Sequence, residues 1–138
     1  MTGWTVLAVT LALATLAGVL VRRRDGVVRE ARGGVERLTA DDLQMELGER
    51  ATLVQFSSAF CQPCRATRRI LDEVARMVPG VAHVEVDAES RLDLVRSLNI
   101  MRTPTVLVLD ASGRVVRRAS GQPRKADVIG ALGAAVGE

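Results

Sequence analysis

Residues 57–65, Ser57-Ser58-Ala59-Phe60-Cys61-Gln62-Pro63-Cys64-Arg65, hold both cysteines of the 138-residue chain. They follow a mostly apolar run, Thr52 to Phe56 (TLVQF), and precede a segment of helical periodicity. A Cys-x-x-Cys at a strand-to-helix junction is the layout of a dithiol redox site. The reason is local. A cysteine at the first turn of a helix faces backbone N–H groups that lack partners and the positive end of the helix dipole. Both favour the thiolate, which is the nucleophile. The second cysteine, one turn on, is near enough to close a disulfide. The pair alone is also compatible with half of a zinc site or with a structural disulfide, so the flanking chain has to decide.

Outward from this stretch the chain alternates strand and helix signals. On the N-terminal side, Val35 to Leu38 reads as a short first strand. Thr39 with Asp42 has the form of a helix N-terminal cap, and Leu43, Met45 and Leu47 fit a short helix ending at Gly48. On the C-terminal side, Pro63 falls in the first turn of a helix, where its missing N–H costs nothing. That helix is expected to run to about Met77. Ile70, Leu71, Val74 and Met77 make its apolar stripe, and Arg65, Arg68, Arg69, Asp72, Glu73 and Arg76 its polar face. Pro79-Gly80 stops it. Ala82 to Asp87 alternates as a strand, with Val84 and Val86 on one face and His83 and Glu85 on the other. Ser90 is expected to cap a short helix carrying Leu92, Val95 and Leu98. Thr105 to Asp110 is an apolar strand, Ala111-Ser112-Gly113 a hairpin turn, and Arg114 to Arg118 its return. Ala126 to Val136, with Val128, Ile129 and Leu132, closes the chain as a helix. The order β-α-β-α-β-α-β-β-α predicts an α/β fold, a mixed sheet with helices on both faces.

Over residues 35–138 the sequence resembles the thioredoxin family. Three features carry the resemblance. Strand TLVQF leads into FCQPC, VEVDAES is followed by LNI, and Thr103-Pro104-Thr105 falls about forty residues after the cysteines, just before an apolar strand. The resemblance implies the thioredoxin fold and thiol–disulfide exchange. It makes Cys61 the attacking cysteine and Cys64 the resolving one. It makes Pro104 the cis-proline that faces the disulfide, leaving the backbone of Thr103 free to pair with an extended substrate. Phe60 stands where the family usually has Trp and keeps a hydrophobic platform for substrate. Gly121 matches the small residue that lets substrate approach. The family usually has a buried acid six positions before the first cysteine, and here that position is Gln55, which cannot accept a proton at neutral pH. His83, the sole histidine, is a candidate proton acceptor in its place, so His83 and Gln55 are the candidates for proton transfer. Two cysteines and one histidine fall short of a zinc ligand set, so no metal is expected. A structural disulfide over so short a loop would stabilise little. No cofactor is expected beyond a redox-active Cys61–Cys64 disulfide.

Residues 1–21 are expected to form an N-terminal tail and membrane anchor, 22–34 a basic juxtamembrane linker, and 35–138 the thioredoxin-like domain. Trp4 to Val21 carries no charge, and as a helix its eighteen residues rise about 27 Å, near the thickness of a bilayer core. A cleavable signal peptide would need positive charge before the run, whereas here the arginines follow it. The net charge of +3 lies wholly in residues 22–34, five arginines against two acids, while fourteen basic and fourteen acidic residues balance from Val35 onward. That excludes a basic nucleic-acid face and suits a collar beside a lipid bilayer. By the positive-inside rule a single-pass chain would keep its soluble domain in the cytoplasm. The alternative is extracytoplasmic, where related tethered domains serve cytochrome or envelope-protein maturation. The expected activity is reduction of disulfide-bearing protein substrates, with electrons from a thioredoxin-reductase-like or membrane donor. A redox-inactive binding module of the same fold is the rival reading.

Overall fold

The computed structural model describes residues 1–30 and 37–137. Helix α1 (Thr2–Arg24) comes first and buries none of its residues. Its threonines bond back along the helix: the hydroxyls of Thr5, Thr10 and Thr15 donate to the carbonyls of Thr2, Val6 and Leu11, each at 2.8 Å. That leaves an apolar cylinder with no polar face, a candidate membrane span.

The remaining elements are β1 (Arg29–Glu30), α2 (Ala40–Leu43), β2 (Ala51–Ser57), α3 (Gln62–Met77), β3 (Val81–Asp87), α4 (Leu92–Ser97), β4 (Thr105–Asp110), β5 (Val115–Ser120) and α5 (Lys125–Val136). One five-stranded sheet has the order β1-β5-β4-β2-β3. β2 and β3 run parallel through the α3 crossover, and the other pairs are antiparallel. Side chains alternate across β2. Val54 and Phe56 pack on one side with Leu43, Leu94 and Leu98. Ala51 and Leu53 pack on the other with Leu71 and Val74 of α3 and Val128 and Leu132 of α5. Gln55 therefore lies on the α3 side, inside an otherwise apolar layer.

Several boundaries differ from those expected. The first strand is Arg29–Glu30, inside the stretch read as linker. It pairs with Arg118 and Arg117 of β5, and the Gly26 N–H bonds to the Ser120 carbonyl at 2.8 Å. The edge of β5 supplies unpaired backbone groups there, and backbone pairing needs no apolar pattern in the strand that joins it. Val35 and Glu36 of the expected first strand lie outside the described residues, and Arg37 makes a single bridge to Arg114. Helix α2 stops at Leu43 because Gln44 turns left-handed (φ 57°), although the Thr39–Asp42 capping box is formed. Helix α4 starts without a side-chain cap and buries Leu94, not Leu92. Met77 and Ile129 are exposed.

Candidate active site

Cys61 is the N-cap of α3 and Cys64 sits in its first turn. Pro63 occupies the turn where no helical acceptor awaits its N–H. The two cysteines form a disulfide with Cα atoms 5.2 Å apart. The Cys64 N–H points at the Cys61 sulfur, 3.2 Å away. This is the geometry in which a reduced Cys61 would be held as thiolate by a backbone donor. Cys64 is buried (1% exposed), so the two sulfurs are inequivalent, one at the helix cap and one enclosed behind it.

Phe60, beside them, is wholly exposed (100%). The Thr103–Pro104 peptide is cis. Its loop is tied to the cysteine loop by the hydroxyls of Ser58 and Thr103, 3.1 Å apart. Gly121 bonds through its N–H to the Pro104 carbonyl at 2.8 Å, which brings it to the site. A Cβ on Gly121 would lie 3.1 Å from the Gly26 nitrogen and 3.4 Å from the Arg102 guanidinium. On its Cβ side Gly121 accommodates the chain's own Asp25–Gly26 segment. Asp25 in turn pairs with Arg102 at 3.0 Å.

A cleft of ≈ 250 Å³ opens on the β3 side of the disulfide, lined among others by Cys61, Cys64, Arg65, Arg68, Glu85 and Asp87. Arg68 donates two bonds to Glu85, at 2.6 and 2.8 Å. The cleft thus places two guanidiniums and two carboxylates around the buried sulfur, which residue pattern alone did not mark as site residues.

Gln55 is completely buried (0%), directly behind Cys64. Its amide nitrogen donates to the Cys64 carbonyl at 2.8 Å and to the Ser57 hydroxyl at 2.9 Å. Its oxygen faces Nε2 of His83 at 3.2 Å. The His83 side chain is only 8% exposed. Its Nδ1 lies 2.6 Å from the Asp72 carboxylate on α3. The structure therefore brings His83 and Gln55 together and adds Asp72, which sequence reasoning had left on a solvated helix face. The signal was present as register. Cys64, Arg68 and Asp72 recur every four residues on α3, and His83 and Glu85 every two on β3. These are the periods that align a helix stripe with a strand face, and they pair Arg68 with Glu85 and Asp72 with His83.

Comparison with known proteins agrees with this architecture. The family model described as Thioredoxin matches residues 34–133. Thioredoxin C-2 of Corynebacterium nephridii is 31% identical over 90 residues, covering 64% of this chain and 81% of that protein. Thioredoxin domain-containing protein 2 of Homo sapiens is 38% identical over 60 residues, which is 44% of this chain but 11% of that protein's length. Among solved structures, chloroplastic thioredoxin z superposes with a TM-score of 0.61 at 23% identity, over 78% of this chain and 99% of that one.

Proposed function

The chain belongs to the thioredoxin family, and from that premise we propose that it is a membrane-anchored protein-disulfide reductase working through Cys61 and Cys64. The observation that carries the proposal is the inequivalent disulfide at the N-terminus of α3, with the inner sulfur buried and the outer one at the helix cap. The Cys61 thiolate attacks one sulfur of a substrate disulfide. That bond breaks, the first substrate thiolate leaves and takes a proton from water, and a mixed disulfide joins Cys61 to the substrate. The Cys64 thiol gives up its proton and its thiolate attacks the Cys61 sulfur. The mixed disulfide breaks, and the second substrate thiolate leaves and is protonated. The substrate gains two electrons and two protons, and the chain is left as the Cys61–Cys64 disulfide. A dithiol donor, either a thioredoxin-reductase-like partner or a membrane electron carrier, restores it. Phe60 and the Thr103–Pro104 loop supply the substrate platform on either side of the sulfurs. The exposed apolar helix α1 supports the anchor, and the arginines at its end support a cytoplasmic domain.

The test is reduction of insulin by dithiothreitol with the full chain in detergent. The expected result is acceleration several-fold over Cys61→Ser. A rate equal to that of Cys61→Ser would overturn the reductase and leave a binding module of the same fold.

A further inference from the structure

The polar chain behind Cys64 can be resolved by counting donors and acceptors. A carbonyl oxygen only accepts, so the Gln55 atom 2.8 Å from the Cys64 carbonyl must be its amide nitrogen. The Gln55 orientation is thereby fixed, and its oxygen, also an acceptor only, faces His83 Nε2. Nε2 must carry a hydrogen. At the other side of the ring, Nδ1 meets a carboxylate oxygen at 2.6 Å, a contact that needs a hydrogen as well. A neutral imidazole beside a carboxylate has one hydrogen too few for these two contacts. Either the ring holds two hydrogens or the second lies on Asp72. The proton count and the net charge are the same in both cases.

We infer that Asp72 and His83 share one extra proton, and that this proton, through Gln55, holds the Cys64 carbonyl in place at the first turn of α3. His83 is then a donor that positions the site, not the proton acceptor its place in the sequence suggested. Loss of the proton leaves a bare Nε2 against the Gln55 oxygen. The amide must turn over or withdraw, and its hold on Cys64 goes with it. The charged groups facing the pair are few: Asp72 from α3, and the mutually neutralising Arg68–Glu85 bridge beside it. Water reaches Asp72, whose side chain is 43% exposed, so the proton can come and go while the histidine stays buried. Asp72, His83 and Gln55 are positioning residues, and the coupling to exchange chemistry rests on the proposed reductase reading. The protonation state does not.

The two halves can be tested separately on the full chain in detergent. With one histidine in the chain, nitrogen-15 NMR of labelled histidine reports His83 alone. Nε2 is expected to bear hydrogen in the wild type, and Asp72→Asn, which removes the carboxylate that shares the proton, is expected to leave the ring with one hydrogen. A bare Nε2 in the wild type, or two ring hydrogens retained in Asp72→Asn, would overturn the shared proton whether or not the chain reduces anything. For the coupling, the reduced chain is mixed with dithionitrobenzoate and release of the second aromatic thiol, which reports attack by Cys64, is followed against pH. His83→Gln keeps an N–H toward Gln55 but cannot titrate. The ratio of wild-type to His83→Gln rates is expected to be about tenfold higher where NMR shows hydrogen on Nε2 than where it shows Nε2 bare, the equivalent of one oriented hydrogen bond. A constant ratio would overturn the coupling.

Discussion

A buried amide with three partners is a demanding thing to keep in an apolar layer, and Gln55 is kept there. Its neighbours on the same face are Leu53, Leu71 and Val74, and hydrophobic burial alone would favour another leucine. Gln55→Leu takes a hydrogen-bond partner from the Cys64 carbonyl and leaves the Ser57 hydroxyl and one ring nitrogen of His83 without the amide they face. A stranded buried group costs about 1–3 kcal/mol, and the added apolar contact offsets part of the sum. Net destabilisation of about 3 kcal/mol is therefore expected, read as a lower denaturant midpoint with an unchanged slope. A stability equal to wild type would show that the amide's bonds contribute nothing to folding. At this scale the sequence was legible where a residue departs from its family's pattern, as Gln55 does. It was not legible where the partner comes from another element. Asp72 looks like any solvated helix acid until β3 places His83 beneath it.

Turns and caps are where local chemistry fixes the elements. The β4–β5 turn closes on Asp110, whose Oδ1 accepts from the Ser112 N–H (2.9 Å), the Ser112 hydroxyl (2.7 Å) and the Arg114 N–H (3.0 Å). Burial alone would raise the Asp110 carboxyl. The Ser112 hydroxyl, the backbone N–H groups of Arg114 and Ser112 and the Arg114 guanidinium outweigh it and hold the carboxyl below its ordinary value of 3.8. The sign follows. A carboxyl depressed in the folded state contributes stability above the unfolded value, and that stability is lost as pH falls through the folded one. Asp110→Asn is expected to cost about 1–2 kcal/mol at neutral pH, with the gap to wild type closing in acid below the ordinary carboxylate value. A gap independent of pH in thermal melts would refute the charged role. The elements around this turn were readable because their signals are local: alternation in Thr105 to Asp110, Ala-Ser-Gly at the turn, and Thr39 with Asp42 at a cap. Strand β1 was not, because Arg29–Glu30 is a strand only by virtue of the β5 edge beside it. Gly26 belongs to the same docking. At φ 74° a Cβ would fall 1.8 Å from the Gln122 carbonyl oxygen, so the segment beside β5 is shaped for glycine.

For the molecule as a whole, the distance between helix α1 and the site matters more than either alone. Helix α1 ends at Arg24, and the very next residues are held by the domain, Asp25 by Arg102 and Gly26 by Ser120. Arg102 immediately precedes Thr103 and Pro104. If α1 spans a bilayer, the Thr103–Pro104 loop lies within a few residues of the membrane surface, and the side on which that surface faces decides which disulfides the chain can meet. The charge distribution argues for the cytoplasmic side. Arg22, Arg23 and Arg24 form the last turn of α1, where they also complement the negative end of the helix dipole. The first turn of α1 carries no charged side chain. Moving three guanidiniums across a membrane against this bias is unfavourable, and the whole excess of basic charge lies within about a dozen residues of the span. In intact cells reduced with an impermeant phosphine, Cys61 is therefore expected to resist a membrane-impermeant maleimide and to react only after lysis. Cys64→Ser serves as the reporter, so that Cys61 cannot re-form its disulfide. Labelling before lysis would place the domain outside, and with it the electron donor: a reductase in solution could no longer reach the disulfide, and a membrane carrier would have to supply both electrons.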